Sequence, residues 1–77
     1  MSVALLIETG RCLFGSRWQR ELAAALGVNE RTVRGWIAQP PRGEPSPGVY
    51  ADLWRLCVAH VEELHTLIGK IDKHLGE

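Results

Sequence analysis

Long apolar runs are missing from this 77-residue chain: the N-terminal one, from Val3 to Ile7, is five residues long and no Lys or Arg precedes it. That is too short for a transmembrane span or a signal peptide, so the expected location is the cytoplasm, with no membrane partner. Cysteine is scarce. Cys12 and Cys57 stand 45 residues apart and match no CxxC or zinc spacing, so both are expected to be reduced, small buried residues; a place for Cys57 on a dimer seam is the alternative. Excess charge of either sign is absent, with nine basic and nine acidic residues. No catalytic triad, Gly-rich phosphate loop or pair of pocketed carboxylates can be picked out, and so small a chain excludes most enzyme clefts. The expectation is therefore a non-enzyme without cofactor or metal. Proline is confined to positions 40–47, so the segments on either side are free to be helical.

What is present is one segment with a dense pattern. Residues 19–38, QRELAAALGVNERTVRGWIA, lie on a helix-turn-helix without a gap. Leu22, Ala23 and Leu26 form an apolar stripe. Gly27 stands where a tight turn needs positive φ, Val28 plugs the turn, and Asn29 is a helix cap. Val33, Trp36 and Ile37 form the inner face of the next helix. Small, glycine and β-branched residues thus fall where two helices crossing at about 90–120° approach closely.

On these residues the chain resembles the small helix-turn-helix regulators of the Cro and phage-repressor type. The stretch FGSRWQRELAAALGVNERTVRGW, residues 14–36, is similar to short regulators of bacteria and their mobile elements, the anti-CRISPR-associated ones among them. The resemblance implies major-groove binding to double-stranded DNA, as a homodimer on a palindromic operator, for repression. One departure is Gly35, where such proteins often carry a polar or basic side chain. Residues 1–13 and 39–77 fall outside the resemblance.

The distribution of charge agrees with a DNA reader. Residues 11–42 hold six Arg (11, 17, 20, 31, 34, 42) against Glu21 and Glu30, a net +4, whereas residues 43–77 sum to −3. A local basic patch is the electrostatic footprint that matters, and Arg suits bidentate contacts to phosphate and guanine.

An all-α fold is predicted: a three-helix core containing the motif, then a long amphipathic dimerisation helix. Residues 1–39 form the DNA-binding domain, 40–48 a Pro-rich linker and 49–77 the body of the long helix. The first helix should span about 3–14, with Ala4, Leu5, Leu6, Cys12 and Leu13 inward. Gly10 weakens it by about 1 kcal/mol relative to Ala and marks a place for a break; Gly15 ends it. Ser16 is the expected N-cap of a second helix over 17–26, with Gln19 as capping-box partner. The third covers 30–38, stopped by Gln39, Pro40 and Pro41. Ser46 and Pro47 mark the start of the fourth, running to about Leu75, with Gly69 a soft spot and Gly76 a terminator.

In the fourth helix Tyr50, Trp54, Cys57, Val61, Leu64, Ile68, Ile71 and Leu75 follow a 4-3 heptad alternation,. Leu53, Leu56, His60 and Leu67 widen the stripe beyond a simple two-stranded seam. Two uses follow. Leu53, Trp54 and Leu56 pack on the core; Val61, Leu64, Ile68, Ile71 and Leu75 form a dimer interface, of undetermined polarity. Histidines 60, 65 and 74 flank the seam, so their protonation would weaken a dimer. His60 and His65 are five apart, which is wrong for two imidazoles converging on one ion from a helix.

The expected base contacts are Arg31, Arg34, Glu30, Asn29 and Gly35. Glu30 either accepts from cytosine or orients Arg34 as an i,i+4 partner; Gly35 adds close approach rather than a side chain. Phosphate contacts fall to Arg17, Gln19, Arg20, Thr32 and Arg42. Trp18 is core or leans on a sugar. Three functions fit: an autoregulatory repressor, a DNA-binding antitoxin whose long helix covers a toxin partner, or an interaction module that keeps only the motif.

Overall fold

The structure, a computed structural model, describes residues 3–77; the first two residues of the expected 1–39 domain lie outside that range. The fold is all-α. In order come α1 (Ala4–Phe14), a short 3-10 turn (Gly15–Arg17), α2 (Trp18–Leu26), α3 (Glu30–Ile37) and α4 (Pro47–Leu75), with no strand among the described residues. Every helix contributes to one core, made of Leu6, Trp18, Leu22, Ala23, Val33, Trp36 and Leu53. α2 is central and packs on α1, α3 and α4.

α1 continues through Gly10 without a break. At this position a Cβ would stand 2.3 Å from Cε3 of the Trp18 ring, so the missing side chain makes room for one of the two tryptophans of the core. That contact also sets which way α1 faces. Leu6 and Gly10, one turn apart, are buried, while Leu5 is 55% exposed and Cys12 is exposed. The expected inward placement of Ala4, Leu5 and Cys12 is thereby corrected: all three are exposed, beside the inward stripe. Cys57 is half-buried.

Gly15 ends α1 at φ 78°, but the chain does not then extend into a Ser-capped helix. It winds on through the 3-10 turn, and Arg17 occupies the cap position of α2 with no side-chain bond. The expected Ser16–Gln19 capping box does not form, because Ser16 lies inside the turn rather than in the extended conformation a side-chain cap requires.

α2 ends as expected. Gly27 is left-handed at φ 72°, ψ 27°. The Gly27 N–H donates to the Ala24 carbonyl at 3.2 Å, and the Val28 N–H to that of Ala23 at 3.0 Å. This is the paired bonding of a Schellman ending. Asn29 is extended, and its side chain accepts from the Arg31 N–H at 3.0 Å, so three residues turn the chain from one helix into the next.

α4 starts and stops where its sequence signals stand. Ser46 has extended dihedrals and Pro47 takes the first helical position, although the Ser46 side chain makes no cap bond. The Val49 N–H is satisfied by the Ser46 carbonyl instead, at 2.9 Å. The helix runs 29 residues through Gly69, about 43 Å at 1.5 Å per residue, and stretches the molecule to 54 × 22 × 20 Å. Leu53 is its one buried residue, with Val49, Tyr50 and Leu56 packed beside it. Trp54, expected on the core, is 68% exposed; Leu53 takes the inward position and turns its neighbour outward. Residues 61–77 are all exposed and do not fold back. No helix of the described residues is long and apolar enough to cross a membrane.

Candidate nucleic-acid interface

The ten residues expected to touch DNA line two grooves, one on each flank of α3. The first groove is formed by Asn29, Arg31, Thr32, Gly35, Trp36 and Arg42. The second is formed by Ser16, Arg17, Gln19, Arg20, Glu21, Glu30 and Arg34. Helix geometry accounts for the division. Val33 and Trp36 turn inward and anchor α3 on α2, so Arg31, Thr32 and Arg34 are displayed outward. The Gly27 turn sets the start of α2 beside the outer face of α3. This brings Arg17 and Arg20 to the same groove as Arg34, although they belong to the segment before the turn and Arg34 to the helix after it.

Arg31, Thr32 and Arg34 are exposed, and Glu30 is half-buried. Glu30 Oε2 accepts from Arg34 Nη2 at 2.6 Å, so of the two roles expected for Glu30 the structure displays the orienting one. The Arg34 side chain remains 59% exposed and keeps free donors for a further partner. Arg31 and Arg34, three apart, line different grooves. The Arg31 groove also holds Arg42 and no acidic residue, whereas Arg34 shares its groove with Glu21 and Glu30.

Arg42 comes to α3 by a backbone bond. Its N–H donates to the Gly35 carbonyl at 2.8 Å, and the linker folds across the last turn of the helix. As a result Gly35 is buried, and a Cβ placed there would lie 3.7 Å from the Arg42 Cβ. Gly35 is thus covered by the linker rather than open as expected, although a Cβ there would meet Arg42 only at ordinary contact distance. Trp18 is 3% exposed and belongs to the core, not to a sugar contact.

The sequence reading did not locate this docking of the linker. The one signal was the glycine itself, at a helix position where a side chain would ordinarily point outward. A second feature it missed is a shallow apolar groove between α1 and α4, lined by Leu5, Thr9, Tyr50, Leu53, Trp54 and Cys57. The Leu5–Thr9 spacing of four marked that face. Among the described residues no three His, Cys, Asp or Glu side chains come together as a metal site would require.

No family model, curated protein or solved structure matches this chain.

Proposed function

We propose that this chain is a sequence-specific double-stranded DNA-binding regulator. It docks α3 in the major groove of an inverted-repeat operator as a homodimer, and its simplest role is autoregulatory repression in the cytoplasm of a host carrying a phage or mobile element. The observation that carries the reading is the gathering of five arginines around α3, with Arg31 and Arg34 exposed on that helix. α3 would read bases through Arg31 and Arg34, with Glu30 holding Arg34 in place. Arg17, Gln19, Arg20, Thr32 and Arg42 would hold phosphates. In this arrangement Asn29 is first a helix cap, and a base contact is secondary.

The test is a gel-shift titration against the DNA upstream of the chain's own gene, at two salt concentrations, with random DNA as competitor. Retention on an inverted repeat is the expected result. Binding that disappears with competitor would reject sequence-specific recognition.

A second reading, a DNA-binding antitoxin, draws on the bare apolar face of α4 beyond residue 60. There α4 would cover a toxin rather than its own copy. A toxin gene adjacent to this one, and a stable complex of the two products, would favour it.

A further inference from the structure

The two grooves beside α3 are lined by five arginines, and they differ in their acidic residues. Among the described residues, Arg34 alone of the five is paired with a carboxylate. Its Nη2 donates to Glu30 Oε2 at 2.6 Å, from a side chain that is still 59% exposed. Glu21 lines the same groove. Arg31 and Arg42 share theirs with Asn29, Thr32, Gly35 and Trp36, none of them acidic.

Charge separates what these arginines can hold. A guanidinium has five N–H donors, so Arg34 keeps several after bonding Glu30. A phosphate arriving there carries a full negative charge. It meets a pair whose formal charges cancel, and it stands within a few ångströms of a second anion, which repels it. A guanine edge presents O6 and N7, acceptors without net charge, so the carboxylate opposes it far less. Glu30 and Arg34 are an i,i+4 pair on one helix, so the carboxylate travels with the guanidinium wherever α3 docks. The other charges on this groove, Arg17, Arg20 and Glu21, come from the segment before the turn. Arg17 and Arg20 have no carboxylate partner among the described residues, so phosphate capture on this flank stays with them.

We propose that Glu30 is a specificity-determining residue: its charge denies Arg34 to the phosphate backbone and reserves it for a base edge, whereas Arg31, in the acid-free groove, is open to either. This rests on the DNA-reading function proposed above and adds the residue that limits binding to DNA of any sequence.

Salt dependence measures the effect, because each phosphate neutralised adds about 0.9 to the steepness with which log affinity falls against log salt. The experiment titrates a random-sequence duplex by fluorescence anisotropy at several salt concentrations. It compares the wild-type chain, Glu30→Gln, Arg34→Ala and the double variant, each verified as folded by far-ultraviolet circular dichroism. Glutamine retains an oxygen that accepts from Arg34, so orientation survives and only the charge is lost.

Arg34→Ala should keep the wild-type slope. Glu30→Gln should bind the random duplex more tightly, with a slope steeper by about 0.9 per bound chain, and the double variant should return to the wild-type slope. On the DNA upstream of the chain's own gene, Glu30→Gln should lower the ratio of specific to random affinity. A flatter slope in Arg34→Ala would place Arg34 on phosphate despite Glu30. An unchanged slope in Glu30→Gln would leave the charge without effect. An equal gain from Glu30→Gln in the Arg34→Ala background would reduce it to general repulsion. Each of these three overturns the inference while DNA binding by the wild-type chain stands. Failure of the wild-type chain to bind either duplex at the lowest salt overturns the DNA-reading function and the inference together.

Discussion

Gly10 shows how much one missing side chain can decide. With the Trp18 ring 2.3 Å from the Cβ that an alanine would add, Gly10→Ala must displace the ring or tilt α1. A small-to-large change in a packed core costs about 1–3 kcal/mol, against about 1 kcal/mol gained in helix propensity. The expected net result is a lower thermal midpoint and an altered near-ultraviolet signal from Trp18, measured by circular dichroism. Under the DNA-reading proposal the residues of the outer face should separate by role. Arg34→Ala should lose discrimination at one base pair per half-site, by about 1–3 kcal/mol. Arg20→Ala should weaken all sequences alike and reduce the salt slope by about one. Gel-shift titrations on operator variants at several salt concentrations distinguish them, and a uniform loss from both mutants would remove Arg34 as a reader. Both arginines and their spacing could be read from the chain. That Arg34 shares a groove with Arg17 and Arg20 could not, because that proximity depends on the turn between α2 and α3.

Among the elements, α3 is short and α4 long, and they are held by different means. α3 has eight residues, fewer than an isolated helix needs to persist in water. It depends on its Asn29 cap and on Val33 and Trp36 in the core. Asn29→Ala should therefore cost about 0.5–2 kcal/mol, visible as a lower denaturant midpoint with unchanged slope. α4 is anchored through Leu53, which is 4% exposed. Leu53→Ala should destabilise the fold by about 2–5 kcal/mol, whereas Trp54→Ala should leave protomer stability nearly unchanged and, under the homodimer proposal, act on pairing. The ends of α4 were legible in the Ser46–Pro47 and Leu75–Gly76 signals, and the Gly27 and Asn29 turn likewise. The start of α2 was not: Ser16 reads as a cap in any sequence window, but it lies inside the 3-10 turn that separates α1 from α2. The inward face of α1 was also illegible, since apolar residues at 5, 6, 7, 12, 13 and 14 allow more than one stripe.

At the scale of the whole molecule, one end is a small core with a basic outer face, and the other is a bare helix reaching well beyond it. A single domain of this size buries little surface, and the unpaired half of α4 adds nothing to protomer packing. Ile68→Asp tests the division. Ile68 is more than half exposed, so the protomer should fold as before by far-ultraviolet circular dichroism. Under the homodimer reading, sedimentation should show it as a monomer, and operator affinity should fall while half-site binding persists. Intact operator binding by a monomeric variant would separate DNA reading from pairing.

The sequence by itself determined the helices and most of their ends, the left-handed glycine turn and the heptad stripe. These depend on periodicity and on backbone preferences that act over a few residues. Tertiary structure alone decided which stripe of α1 faces inward, that the linker lies over Gly35, that Trp54 points to water, and that residues from three segments share the flanks of α3. Those outcomes depend on which bulky group occupies a limited interior, here Trp18 against Gly10 and Leu53 in place of Trp54, and no local pattern specifies that competition.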